Sequence, residues 1–328
     1  GAIVPNSGRG TFASFLEMPP PAWDLLPLDR YRLPLVNRPY VLIETSRGCP
    51  YSCDFCVVPL HHGHKFRERP ASVLVDEIAR ARREHGIEYF YLWGDTVTLN
   101  AKTFSQFCEE LIARDLRVRW FANARADNLV DLEFVKRLKR SGCWMLSMGI
   151  ESESDAVRKN MMKRLERQKI QLAFRNLREA GIKSFAFFIY GYPGETPESM
   201  EQTTRYAVEL DADFANFYPA VPYPGTELFA KAKRDGLLTT EDWTKMEYSY
   251  YVLEGNGLNE QLVMDALKRA RRRFFLRPSY LVRHAGDIGR MVFTSQGLIW
   301  KIVTRMLLGG REQPAASPSP ARRSAPSA

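Results

Sequence analysis

Cys49, Cys53 and Cys56 stand in the run Arg47-Gly48-Cys49-Pro50-Tyr51-Ser52-Cys53-Asp54-Phe55-Cys56-Val57, a C-x3-C-x2-C spacing. Three thiolates from one short loop can each ligate one iron of a four-iron cluster and leave the fourth iron open. An open iron suggests catalysis more than electron storage. The same cysteines could instead hold structural zinc, with His61, His62 or His64 as a further ligand. The second C-x2-C or H-x3-H pair usual in such sites is missing from the sequence. Five cysteines in 328 residues point to a reducing compartment and not to a disulfide framework. Cys108 lies on the apolar face of a helical stretch and Cys143 opens an apolar strand, so both read as core residues.

The elements that must position the three cysteines follow from periodicity. Tyr40-Val41-Leu42-Ile43, just before the motif, reads as a buried strand. Strands are predicted at 40–45, 88–93, 117–121, 144–150, 184–190 and 214–219, with helices between them, for example 72–85 and 102–114. Repeated βα units imply a parallel sheet. The fold class is α/β: a partial (β/α)6 barrel of parallel strands with a C-terminal helical extension. Residues 1–39, rich in Gly, Ser and Pro, read as a linker that packs locally through Trp23 and Leu25 without a core of its own. The barrel is placed at 40–226, a helical extension at 227–308 and a disordered Pro, Ser and Ala tail at 309–328.

In parallel (β/α) folds, functional groups sit at the C-terminal ends of strands. The motifs here fall there, strand after strand. Arg125 follows the third strand, where a guanidinium can bind a carboxylate in bidentate fashion; it could equally form an ion pair with Asp127 or Glu151. His61, His62 and His64 follow the cysteines, where they could touch a ligand, donate protons or lie on the surface. Arg67 and Arg69 read as anchors of that loop through carboxylates.

The cysteine spacing, its place after a strand and the strand-end motifs resemble the radical S-adenosylmethionine (radical SAM) superfamily over roughly residues 20–280. The resemblance implies a 4Fe–4S cluster held by Cys49, Cys53 and Cys56. It implies S-adenosylmethionine on the open iron, cleaved on reduction to a 5′-deoxyadenosyl radical. Phe55 resembles the aromatic residue beside the adenine. Trp93-Gly94-Asp95-Thr96 stands where the family has Gly-Gly-Glu, which makes Gly94 and Asp95 contacts for the methionine amino group. Gly149-Ile150-Glu151-Ser152 resembles the element that touches the ribose or the methionine moiety, through Glu151 and Ser152. Tyr190-Gly191-Tyr192-Pro193-Gly194-Glu195-Thr196 resembles the turn that approaches the adenine, through Gly191 and Pro193. Tyr218-Pro219-Ala220-Val221-Pro222-Tyr223-Pro224-Gly225-Thr226 is expected to line the substrate side.

Together with Pro21-Ala22-Trp23-Asp24-Leu25-Leu26-Pro27, these motifs look like the cobalamin-binding branch. That branch includes magnesium-protoporphyrin ester cyclases, hopanoid-modifying enzymes and methyltransferases. Cobalamin is implied by this resemblance alone, since the sequence carries no D-x-H-x-x-G run. The expected activity is modification of a C–H position (methylation, cyclisation or oxidation) of an apolar small molecule, with an electron donor of flavodoxin or ferredoxin type. The opposing reading is a non-catalytic zinc- or iron–sulfur-binding interaction protein that docks on membrane or nucleic acid through its basic C-terminus.

Charge bears on that choice. The net charge is +9, and residues 256–328 hold 13 Lys and Arg against 4 Asp and Glu, so the surplus lies at the C-terminal end. A barrel balanced in charge is not coated for nucleic acid, and no nucleic-acid partner is expected. In 289–308, Arg290, Lys301 and Arg305 fall on one helical face and Val292, Ile299 and Val303 on another. Such a helix can lie on an anionic membrane surface or pack on the barrel. No apolar run reaches the ~18 residues that span a bilayer. A cytoplasmic protein, with peripheral contact at the inner membrane face through this helix, is the expectation.

Overall fold

Alternating apolar runs set a βα repeat, and in the computed structural model it is described over residues 18–33, 36–255 and 257–294. The strands are β1 (Tyr40–Arg47), β2 (Arg67–Glu68), β3 (Tyr89–Gly94), β4 (Arg119–Ala124), β5 (Cys143–Glu151), β6 (Lys183–Tyr190) and β7 (Phe214–Pro219). The helices are α1 (Val58–His62), α2 (Ala71–His85), α3 (Ala101–Ala113), α4 (Leu132–Arg140), α5 (Asp155–Asn160), α6 (Arg167–Ala180), α7 (Pro197–Leu210), α8 (Glu227–Arg234), α9 (Glu260–Phe275), α10 (Pro278–Arg283) and α11 (Ala285–Thr294). Polar N-caps start the helices: the side chains of Asn100, Asp131, Thr196, Thr226 and Asn259 accept backbone N–H bonds at α3, α4, α7, α8 and α9.

The sheet order is β2-β1-β3-β4-β5-β6-β7, parallel throughout except for β2. The six predicted strands are all present. The two-residue β2, antiparallel to the end of β1, was not expected; it is too short to show a period. Because the sheet ends at β2 and β7 and neither β1 nor β2 pairs with β7, the barrel is open.

Strand alternation gives the sheet two unlike faces. Phe90, Leu92, Trp120, Ala122, Ala186 and Phe188 are buried against the helices. Their neighbours Tyr91, Phe121, Phe185 and Phe187 are only half-buried, and Trp93 is 40% exposed. A closed barrel would fill this concave side with layers of side chains. Here it stays an aromatic wall, with the Tyr91 and Phe121 rings stacked at 4.5 Å.

From the expected 227–308 extension, the described helix α9 packs on the sheet. Val263, Leu267, Ala270 and Phe274 of α9 join the same hydrophobic core as the strands. The described part of the 1–39 linker is likewise tied in, through one of the two residues expected to pack. Trp23 is 4% exposed under the Arg80 guanidinium, 4.6 Å from its ring, whereas Leu25 is 77% exposed. Composition cannot say which apolar residue of a turn faces inward. The basic stretch at 289–308 is described only as far as Thr294, and the tail at 309–328 lies outside the described residues. Among the described residues no helix is long and apolar enough to cross a membrane.

Trp23→Ala should lower stability in urea unfolding by about 3 kcal/mol, as for other buried aromatic truncations. Leu25→Ala should change it by less than about 0.5 kcal/mol. Equal effects would contradict this packing.

Candidate functional site

The C-terminal ends of the parallel strands share one rim, and the loop after β1 carries Cys49, Cys53 and Cys56 onto it. All three cysteines line one cavity of about 240 Å³, together with Tyr51, Phe55, Asp95, Asn123, Arg125, Ser147, Glu151 and Lys163. A second cavity of about 300 Å³ adjoins it. The two share Phe55, Glu151 and Phe187 as a common wall. The second is lined mainly by aromatic and aliphatic residues, among them Ile189, Tyr192, Tyr218, Val221, Tyr223 and Tyr248.

The donor set suits a cluster better than a single ion. A structural zinc takes four ligands converging on one ion, whereas in a four-iron cluster each thiolate takes its own iron, and three cysteines line this one cavity. Burial pushes the Cys56 thiol up to about 11 and also raises Cys53, where nearby Lys163 and Arg125 offset only part of the rise. Buried thiols of this kind ionise when a cationic group takes the charge, which iron does.

Two carboxylates fix the cysteine loop. Asp95, at the end of β3, accepts the Gly48 N–H at 2.7 Å and bonds His62 Nδ1 at 2.8 Å, both through Oδ2. The Thr96 hydroxyl lies 3.4 Å from Cys49 Sγ. Asp54, between two of the cysteines, is bonded to Tyr192 Oη at 2.5 Å and Lys231 Nζ at 3.0 Å. Arg69 bonds the Glu77 carboxylate, as expected of an anchor, while Arg67 donates to the His62 carbonyl at 2.8 Å.

Glu151 is buried at the wall between the cavities and paired with Lys163 at 2.7 Å. Burial disfavours the charge on Lys163, yet Glu151 and Cys53 outweigh it, and its pKa ends above the ordinary lysine value. The β5–β6 register breaks between Gly149 and Glu151, and Glu151 takes φ 67°. This irregularity turns the carboxylate back over Gly149, where any Cβ would collide with it. Sequence reasoning missed Lys163. It sits in a turn between positive-φ residues Met162 and Arg164, and a lysine in a polar turn reads as solvated.

The other expected contacts divide. Phe55 faces both cavities, and Asp95, Arg125 and Glu151 line the one with the cysteines. Arg125 is committed to Asp127 through bonds of 3.0 and 2.9 Å and lies 3.7 Å over the Tyr51 ring. Ser152 does not reach this cavity. It is fully buried behind the rim, bonded to Thr203 at 3.2 Å and Glu195 at 3.4 Å, because the break at Glu151 sends the next residue into the helix layer. Gly94 is buried against Ser46 and Thr45. Gly191 (φ 75°) is not open to a ligand: Tyr251 covers it, 2.6 Å from where a Cβ would stand, and donates to its carbonyl at 2.7 Å. The Pro193 carbonyl accepts from Asn160 at 2.7 Å. Cys108 and Cys143 are core residues, as expected.

Comparison with known proteins fits this geometry. The family model described as the radical SAM superfamily matches residues 43–207. An uncharacterized methyltransferase of Pyrococcus horikoshii is 32% identical over 292 residues, covering 89% of this chain and 61% of that protein. An anaerobic magnesium-protoporphyrin IX monomethyl ester cyclase of Cereibacter sphaeroides is 30% identical over 260 residues, covering 78% of this chain and 42% of that one. The fold is shared with the radical S-adenosylmethionine methyltransferase TsrM of Kitasatospora setae, solved with cobalamin and a 4Fe–4S cluster. Its TM-score is 0.56 at 22% identity, over 63% of this chain and 39% of that one. This chain thus spans under two thirds of each of these three proteins.

Glu195 gives a pH test of the site's scaffold. Burial raises its pKa from 4.5 to about 7, against the opposing N–H bonds of Tyr192 and Gly191. Over that window the folded chain keeps a proton that the unfolded chain releases, so stability falls by up to about 3 kcal/mol as pH rises and is level above it. Thermal melts should show Tm lower at about pH 7.5 than at about pH 5.5, and Glu195→Gln should remove most of that difference. A variant with the parent's slope would contradict the assignment.

Proposed function

Because the chain belongs to the radical SAM superfamily, we propose that Cys49, Cys53 and Cys56 hold its 4Fe–4S cluster, with S-adenosylmethionine in the same cavity and the substrate in the adjoining one. The observation that carries this reading is the pair of cavities with a shared wall, thiol-lined and polar on one side and aromatic on the other. When bound and reduced, the cluster supplies the electron that cleaves S-adenosylmethionine to a 5′-deoxyadenosyl radical.

The residues of the chain bind, orient and exclude water. Asp95 uses only Oδ2 on the cysteine loop, which leaves Oδ1 to accept from the ligand's ammonium. Arg125 spends Nε and Nη2 on Asp127, which leaves Nη1 as a donor to its carboxylate. Phe55 offers a ring face to the adenine. The Glu151–Lys163 pair keeps the wall between the cavities neutral, so neither partner is an uncompensated buried charge.

The substrate reading follows from the second cavity. Glu151 is its one ionisable carboxylate or base among the lining residues, and it is already neutralised. The portion of substrate beside the radical is therefore uncharged and apolar, and it packs against rings. Methylation, cyclisation or oxidation of a C–H position in such a molecule is the proposed reaction, with a flavodoxin- or ferredoxin-type donor. Cobalamin is proposed as a further cofactor on the motif resemblance alone. Contact with an anionic membrane surface is tied to 289–308. The non-catalytic, metal-stapled reading is set aside, since a structural metal site needs neither the family's barrel nor two joined cavities.

Anaerobic reconstitution of Cys53→Ala should give protein that forms no 5′-deoxyadenosine above background, whereas Cys108→Ala, altered in the core, should retain cleavage. Cleavage by Cys53→Ala with its cluster intact would overturn the ligand assignment.

A further inference from the structure

Asp54 is a residue with no evident reason to be ionisable. Its side chain is fully buried between two cysteines of the motif. A buried carboxylate is costly unless it is paired and hydrogen-bonded. A position that only filled space would take an apolar residue at less cost.

Its partners come from three separate parts of the rim. Oδ2 accepts from Tyr192 Oη at 2.5 Å, in the loop after β6, and from Lys231 Nζ at 3.0 Å, on α8. The backbone N–H donates to the Met161 carbonyl at 3.2 Å, at the end of α5, and the carbonyl accepts from Leu228 N–H at 2.9 Å. Oδ1 is buried without a partner, so the network hangs on Oδ2. Tyr192 and Leu228 also line the aromatic cavity, and Phe55, next in sequence, faces both cavities. The gap between β7 and β1, which no strand pairing closes, is bridged here by the Leu228–Asp54 backbone bond together with the side-chain bonds to Oδ2.

We propose that Asp54 is a positioning residue that clasps the cysteine loop to the wall of the aromatic cavity, so that the state of that wall governs how S-adenosylmethionine seats beside the cysteines. The inference rests on the cluster assignment above. It predicts an effect from residues that do not line the cysteine cavity at all. Linkage makes the effect reciprocal: a molecule filling the aromatic cavity and S-adenosylmethionine change each other's affinity by the same factor.

The test uses the full chain, reconstituted anaerobically, with three readouts: iron per chain, S-adenosylmethionine affinity by equilibrium dialysis, and the electron paramagnetic resonance spectrum of the reduced cluster with and without S-adenosylmethionine. Tyr192→Phe removes only the hydroxyl, and Lys231→Met only the charge. Both should keep the parent's iron content, weaken S-adenosylmethionine binding by about tenfold, and alter the spectral change it induces. Tyr190→Phe, which loses a core hydroxyl bond to Thr204 of 2.9 Å, should bind S-adenosylmethionine as the parent does. Parent-like affinity and spectra in both Tyr192→Phe and Lys231→Met would overturn the clasp, as would equal weakening by Tyr190→Phe. Failure of the unsubstituted chain to take up iron would instead sink the cluster assignment, and this inference with it.

Discussion

Parallel pairing is the constraint on which the rest of this structure depends. Strands hydrogen-bonded in parallel all end on the same side, so each βα loop must emerge at one rim. Six loops then converge whatever their sequences, and a loop with three thiols meets Asp95, Arg125 and Glu151 without any of them being near in sequence. The same pairing forces a helix behind each strand, which buries one face of the sheet and leaves the other to the site.

An open barrel has a consequence that a closed one lacks. With β1 and β7 not paired to each other, the concave face stays an aromatic surface in need of an occupant, and the rim needs a fastening that strand pairing does not provide. The polar network around Asp54 meets the second need, and a bound apolar molecule would meet the first. Buried charges are tolerated here because each has a partner: Glu151 with Lys163, Asp54 with Lys231, Arg125 with Asp127. Together they make a polar, pre-organised cavity against an apolar one, with Phe55, Glu151 and Phe187 as their common wall.

The sequence was most legible where a period or a spacing repeats. Apolar runs in Tyr40-Val41-Leu42-Ile43 and its counterparts predicted every long strand, and the cysteine spacing located the site. It was least legible where three-dimensional burial changes a residue's role. Lys163 looks solvated in a turn, yet it neutralises Glu151. Ser152 follows a promising glutamate but is turned away by a break in register. Leu25 and Trp23 look alike in a linker, and only one is buried. Asp54 was hidden between two stronger signals.

The most direct test of the central claim is spectroscopic titration of the reconstituted, reduced protein with S-adenosylmethionine, with product analysis on the same samples. The account predicts about four irons per chain, a paramagnetic signal that shifts on adding S-adenosylmethionine, and formation of 5′-deoxyadenosine. One zinc per chain, or an iron cluster whose spectrum ignores S-adenosylmethionine and yields no 5′-deoxyadenosine, would contradict it.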